Sequence, residues 1–276
     1  MLTQTPTRPL VRYLGGKWKL APWIISHFPP HKIYIEPFGG GASVLLRKPR
    51  VVNEIYNDLD GDIVNLFRMV RDHGPALRKC VELTPFARDE YDAAFSLDPV
   101  DNLDRARITL IKAWMGRGSD SLNKKRGFRL YLNANDRIRS TADEWARYPE
   151  ALAEVTKRLQ GVVIEHRDAF KVIHSHDQGE ALIYLDPPYL HSTRGREARY
   201  KNEFTDSDHE RLAEMAHTAD SMIVLSHYPC ALYDRLYGDW WSTTKDTYAD
   251  EAMPRTEKLW LNPAAREALA GQTTLI

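Results

Sequence analysis

Two hydrophobic periods run along this chain, and the switch between them divides it. Short apolar runs of strand length, rich in Ile, Val, Leu and Tyr, stand at 32–36, 51–56, 161–165, 181–186 and 222–226. Such unbroken runs mark strands buried on both faces. Between about residues 66 and 160 this pattern is missing, and apolar positions recur at helical spacing instead. Ile63, Val64, Leu66, Phe67 and Val70 predict an amphipathic helix over 61–72, with further helices over 87–95, 103–115 and 142–159. A short helix is expected over 19–28, with Pro22 in its first turn, and another starts near Ala42. The late segments 242–248 and 258–262 can pair antiparallel. The pattern predicts seven strands alternating with helices. That is an α/β fold with a doubly wound, Rossmann-like sheet and a mainly helical lobe inserted after the second strand. Its expected boundaries are 1–65 with 159–276 for the sheet domain and 66–158 for the lobe.

Composition narrows the picture. At 43% hydrophobic and 28% charged residues, the chain reads as globular. Cys80 and Cys230 are its two cysteines, which argues against a disulfide framework and against a zinc site. No apolar stretch reaches membrane-spanning length and no signal-peptide pattern opens the chain, so a cytoplasmic protein without a membrane partner is expected. The formal net charge is zero. Its distribution is uneven: from Arg105 to Arg139 there are ten basic residues against two acids. Such an excess suits a polyanion. Gly116-Arg117-Gly118-Ser119 and Lys124-Lys125-Arg126-Gly127-Phe128-Arg129 make Arg117, Lys124, Lys125, Arg126 and Arg129 the candidate phosphate or base contacts. The competing reading is a solvated helix face followed by a basic loop.

The densest chemistry lies at 182–189, where Leu182-Ile183-Tyr184-Leu185 runs into Asp186-Pro187-Pro188-Tyr189. These four residues follow a predicted parallel strand, at the end where open α/β sheets place ligands. Two prolines fix φ and remove two backbone donors, so the Pro187 carbonyl can be aimed at a substrate while Pro188 stiffens the turn. Asp186 supplies a second acceptor and Tyr189 a flat ring. Two acceptors and a ring suit a planar amine such as a nucleobase. A plain strand-ending turn is the competing reading.

Other blocks stand in a telling order. Arg12-Tyr13-Leu14-Gly15-Gly16-Lys17 comes first, then Glu36-Pro37-Phe38-Gly39-Gly40-Gly41-Ala42-Ser43, then Asn57-Asp58 after the second strand. Asn202-Glu203-Phe204, Leu225-Ser226-His227-Tyr228-Pro229 and Arg255-Thr256-Glu257-Lys258-Leu259-Trp260 follow the 186–189 block. Together they resemble the DNA adenine-N6 methyltransferases of the Dam type, especially their phage-borne relatives. The resemblance is weakest between about 66 and 160. It implies a class I methyltransferase sheet, S-adenosylmethionine (AdoMet) as cofactor, duplex DNA as partner, and a helical lobe that recognises the target. It also implies that the base is flipped out to reach its pocket.

Residue by residue, the resemblance implies that Tyr13 lies against the cofactor and Lys17 reaches its carboxylate or the site around it. Asp58 binds the ribose, Asp168 accepts from the adenine amino group, and Phe170 is an apolar wall. Glu36 acts through water or holds the amino-acid end. The Phe38-Gly39-Gly40-Gly41 turn brings backbone close to the ligand, since no Cβ intervenes at Gly40. The dinucleotide G-x-G-x-x-G spacing is absent, and Asp58 stands where ribose hydroxyls need an acceptor; both favour AdoMet. Ala42 stands where relatives usually carry glycine. Asp168 has a competing reading as a helix N-cap. His227 reads as a structural or backbone-bonding histidine rather than a general base.

At the target, Asp186 and the Pro187 carbonyl would accept from the exocyclic amine, making its lone pair available for in-line attack on the sulfonium methyl. No metal is required, because the leaving group is a neutral thioether. Two rivals remain open: a methyltransferase on another planar amine such as cytosine N4, and a DNA-binding relative without turnover. The lobe lacks the Asn-Gly-Leu hairpin of GATC-methylating members, so GATC is not assigned.

Overall fold

The computed structural model describes residues 5–118, 120–130, 140–193, 201–248 and 254–273. Among these, seven strands form one sheet: β1 (Ile33–Glu36), β2 (Asn53–Asn57), β3 (Val162–Glu165), β4 (Ala181–Leu185), β5 (Met222–His227), β6 (Trp241–Tyr248) and β7 (Pro254–Leu261). Their order is β3-β2-β1-β4-β5-β7-β6. The first five are parallel, while β7 pairs antiparallel with both β5 and β6. The predicted seven strands and their alternation with helices are all present.

The chain divides into two compact units. The sheet unit comprises Lys17–Leu59 and Gly161–Ile276, and the helical unit comprises Met1–Gly16 and Asp60–Gln160. The first sixteen residues therefore cluster with the helices, whereas the sequence pattern assigns them to the sheet. Trp114 and Tyr148 explain why: the Trp114 indole donates to the Leu10 carbonyl at 3.1 Å, and the Tyr148 hydroxyl donates to the same oxygen. No hydrophobic period in so short a segment announces such a tether.

Helices are α1 (Ala21–Ile25), α2 (Ser43–Arg47), α3 (Gly61–Leu83), α4 (Arg88–Ala93), α5 (Asn102–Met115), α6 (Thr141–Ala146), α7 (Tyr148–Leu159), α8 (Ala169–His176), α9 (Asp206–Thr218), α10 (Ala231–Leu236) and α11 (Pro263–Thr273). In the helical unit α3 packs on α5 and α7. The helix predicted over 61–72 continues to Leu83 through a break at His73 (φ −129°, ψ 27°), just before Pro75. Proline cannot donate to the preceding turn, which accounts for the break. The helix predicted over 142–159 is split into α6 and α7 by Pro149, which stands in the first turn of α7.

In the sheet unit, strand alternation gives the two faces opposite character. Ile35, Ile55, Ile183, Leu185, Ile223 and Leu225 form an apolar core with Phe170 and Val172 of α8, Leu212 and Ala216 of α9, and Tyr233 of α10. The intervening positions Tyr34, Glu36, Glu54, Tyr184 and Ser226 point the other way and are also buried. Phe28, just beyond α1, packs its ring on Tyr34 and Tyr184, with centroids 5.8 Å from each.

Candidate active site

Neighbouring strands β1 and β4 are the point where the strand order reverses, since the chain proceeds from β1 to β2 on one side and from β4 to β5 on the other. The loops leaving their carboxyl ends, 37–42 and 186–190, stand at the switch point where open α/β sheets place ligands. Both carry the residues singled out in the sequence.

The structure gathers Asp186, Lys17 and Tyr189 into one cluster. Lys17 donates to both Asp186 carboxylate oxygens at 2.9 Å. The pair is largely enclosed, with side chains 6% and 17% exposed. Burial pushes the Asp186 carboxyl up to about 6, with Lys17 pulling it down and the Glu257 carboxylate pushing it further up. The Lys17 ammonium also stands 4.6 Å from the centre of the Tyr189 ring, a cation–π contact. Tyr189 is buried, with the His227 ring 4.3 Å and the Tyr228 ring 4.6 Å away, the latter edge-on. Its hydroxyl donates to Glu257 Oε1, which also accepts from the Ser226 hydroxyl. Tyr228 is half-buried and so more open than Tyr189.

His227 is the backbone-bonding histidine expected. Its Nε2 accepts from the Leu190 amide at 3.2 Å and its Nδ1 donates to the Tyr228 carbonyl at 2.8 Å. The Nε2 lone pair is thus engaged by the Leu190 amide and the Nδ1 proton by the Tyr228 carbonyl, so both ring nitrogens serve the backbone.

The glycine turn is held by its surroundings. The Gly40 amide donates to Asp58 Oδ2 at 2.7 Å, and the Tyr56 hydroxyl donates to the Gly40 carbonyl at 2.8 Å. A Cβ on Gly39 would lie 2.2 Å from the Tyr56 ring, so this glycine is required by packing on β2. Ala42 adopts φ 50° and ψ 36°. This left-handed conformation costs a non-glycine residue roughly 1–2 kcal/mol, which glycine would avoid. Around the turn, Phe38 stands edge-on to Phe204 at 5.5 Å, and Phe204 lies parallel to Phe170 at 5.9 Å. The Arg211 guanidinium lies over Phe170 at 4.0 Å. Phe170 is itself a buried member of the apolar core. Asp168 does cap α8, its Oδ1 accepting from the Lys171 amide at 3.2 Å.

Glu36 is engaged within the protein. It is buried, and its Oε2 accepts from the Tyr34 hydroxyl at 2.7 Å and from the Leu45 amide at 3.0 Å. Burial is the largest cause lifting its carboxyl to about 8, and Asp186 adds to the rise. Burial thus favours its neutral form. Its evident work is to hold the start of α2 against β1.

In the helical unit the basic candidates are less available than their sequence suggests. Arg129 is buried and paired with Glu144 at 2.8 Å. Arg126 pairs with Asp120 at 2.7 Å and Lys125 with Asp92 at 2.6 Å. Both remain exposed, as does Arg117, while Lys124 is half-buried. Arg137 and Arg139 lie outside the described residues. Tyr13 belongs to this unit, its carbonyl accepting from the Gly16 amide at 3.0 Å. Sequence reasoning missed Glu257, Ser226 and Tyr228 as members of the site. The signal for Glu257 was an acid in register with the inward positions Leu259 and Leu261 of an alternating strand.

Among the described residues no His, Cys, Asp and Glu cluster could hold a metal ion, and no helix is long and apolar enough to cross a membrane. Comparison with known proteins gives one family. Residues 13–253 match the model of the D12 class N6 adenine-specific DNA methyltransferases. A Type II methyltransferase of Methanocaldococcus jannaschii is 25% identical over 265 residues, covering 83% of this chain and 88% of that protein. The DNA adenine methylase of Serratia marcescens is 26% identical over 229 residues, covering 76% and 78%. That of Escherichia coli K12 is 25% identical over 224 residues, covering 76% and 75%.

Proposed function

From the premise that the chain belongs to the D12 class of N6 adenine-specific DNA methyltransferases, we propose that Asp186 and Pro187 receive the target adenine, with the buried Tyr189 ring supporting Lys17 beside them. We further propose that AdoMet is the methyl donor. The activity itself, methyl transfer to adenine N6 in DNA, follows from the family. What the site adds is the assignment of residues to it.

The observation that carries the assignment is the Lys17–Asp186 pair at the β1/β4 switch point. A carboxylate offers about four lone-pair positions. Lys17 engages one on each Asp186 oxygen. Positions therefore remain to accept from an exocyclic amine, while the ammonium keeps the carboxylate ionised against its burial. An acceptor for the amine N–H groups counters delocalisation of the nitrogen lone pair into the ring, which makes it a better nucleophile. The Pro187 carbonyl is the second acceptor in this reading. Held in a buried pocket, such groups act by positioning and by fixed electrostatics. Tyr189 is covered by Lys17 on one face, so the half-buried Tyr228 ring beside it is the more accessible surface for a base. The target must leave the duplex to reach any of these groups, at a cost of a few kcal/mol.

The donor's seat fits the residues present. Asp58 lies at the end of β2 with a carboxylate already oriented by the Gly40 amide, and Phe38 and Phe170 supply apolar walls. Asp58 would hold the ribose hydroxyls and Asp168 the amino group of the adenine. When bound, AdoMet supplies an electrophilic methyl group on a sulfonium. Transfer of that methyl to N6 would leave the amine with one proton to release, and Asp186, with its carboxyl lifted to about 6, would be placed to accept it.

Asp186→Ala tests the reading directly. It should lower methyl transfer to DNA by at least a hundredfold, the lower range of a positioned acid–base group, with the fold retained by circular dichroism. Near-normal transfer would sink the assignment. Mass analysis of nucleosides from the digested product must show N6-methyladenine and no N4-methylcytosine.

A further inference from the structure

We propose that Glu257 is a positioning residue of the methyl-transfer site, acting through the hydroxyl of Tyr189. The inference rests on the reading of Asp186 to Tyr189 as the target-amine site, and it adds a residue from a strand outside the parallel core.

Glu257 belongs to β7, which pairs antiparallel with β5 in the register Ser226↔Leu259 and His227↔Lys258. Glu257, Leu259 and Leu261 alternate inward, so the strand pattern that buries two leucines also buries this acid, to 2% exposure. A carboxylate is costly in such a place unless hydrogen bonds meet it. Both bonds found on its Oε1 come from the site: the Tyr189 and Ser226 hydroxyls. The anchoring is specific to the tyrosine. Pro187 and Pro188 fix the backbone leading to Tyr189, yet they do not set the pitch of its ring. The ring is set by what touches its faces and by what holds its far end. Lys17 and His227 touch the faces, and Glu257 holds the hydroxyl. Because Lys17 rests on the same ring and on Asp186, a tilt of Tyr189 would move the cation that orders the carboxylate.

Glu257 also acts through charge. The groups around Asp186 are Lys17 from the segment before α1, Glu36 from β1, Tyr184 on β4, Tyr189 on its own loop, Tyr228 after β5, Tyr233 on α10 and Glu257 on β7. Of the acids, Glu36 is favoured in its neutral form by burial, which leaves Glu257 as a negative neighbour that holds the Asp186 carboxyl up. Removing that charge must shift the Asp186 titration downward.

Four single variants and one double variant decide the matter. Glu257→Ala and Tyr189→Phe should each lower kcat by about tenfold, the cost of one hydrogen bond to a charged partner, with KM for DNA little changed. Combined in one chain they should be no worse than Tyr189→Phe alone, since the route is shared. Glu257→Gln keeps an acceptor and the strand packing. It should retain most of kcat while moving the acidic limb of the kcat profile to lower pH. Should Glu257→Ala fail to fold, Glu257→Gln and Tyr189→Phe still decide. Multiplying losses in the double variant, or an unmoved acidic limb in Glu257→Gln, would overturn the inference while Asp186→Asn remains inactive. Full turnover in Asp186→Asn would overturn the underlying site reading, and Glu257's role with it.

Discussion

Both faces of the sheet are buried, yet they are filled with different chemistry. On the α8–α9–α10 side, Ile35, Ile183, Leu185 and Leu225 meet apolar helix residues, and burial itself is the stabilising term. On the α1–α2 side, the alternate positions of the same strands carry Tyr34, Glu36, Glu54, Tyr184 and Ser226. There, burial is a cost that hydrogen bonds and ion pairs must offset. The same lack of water that makes those groups costly gives Asp186 and Glu36 their raised titrations. One face holds the protein together, and the other holds the charges of the proposed site.

The clearest way to break this contrast is at the Lys48–Glu54 pair. Lys48 donates to Glu54 at 2.8 Å, with side chains 1% and 2% exposed, and it also stands 4.5 Å from the Tyr34 ring centre. Glu54→Ala strands a buried ammonium and should cost about 3–5 kcal/mol in urea unfolding. Lys48→Met combined with Glu54→Leu should recover most of that loss. A loss below about 1 kcal/mol for Glu54→Ala would mean that water reaches this face, as at a surface pair.

Glu36 gives the next effect, with a defined sign. Its carboxyl titrates at about 8 in the folded chain, against about 4.3 when unfolded. The folded state therefore holds more protons between those values, and stability falls as pH rises through that window. Glu36→Gln keeps the acceptor for Tyr34 and Leu45 without a titrating proton. It should be the more stable protein at pH 8.5, by about 1–3 kcal/mol, and close to the parent at pH 5. Equal denaturation midpoints at both pH values would remove the buried-acid account.

A smaller effect is expected on the apolar face. Ile183→Val deletes one methylene there and should cost about 0.5–1.5 kcal/mol, with the same value at pH 5 and pH 8.5. The smallest effect on folding belongs to the exposed pairs of the helical unit. Lys125→Ala with Arg126→Ala should change stability by no more than about 1 kcal/mol per pair. If those side chains neutralise phosphates, the slope of log DNA affinity against log salt should flatten by about 0.9 for each phosphate left without its cation.

Much of this was legible from the chain. Unbroken apolar runs located the parallel strands, because strands covered on both faces leave no polar period. Asp186 to Tyr189 could be placed at a strand end for the same reason. Charge pairing was the least legible part. Ten basic residues between Arg105 and Arg139 suggested an open polyanion surface. Folding instead brings Asp92, Asp120 and Glu144 to Lys125, Arg126 and Arg129. Two of those three acids come from outside the basic stretch, so a count along the chain misses them. Glu36 was hard to read in a related way, since a carboxyl beside a glycine turn looks available until Tyr34 and Leu45 are seen to occupy it.

By itself the sequence determined the strand count, the doubly wound order and the residues that lead to the switch point, since period and local stereochemistry decide those. Tertiary structure alone decided which charges are paired, which carboxyls keep a proton, and that a strand near the end of the chain sends Glu257 to the tyrosine of the central loop. Those outcomes depend on distance and on exclusion of water, and both arise only once segments remote in sequence have packed together.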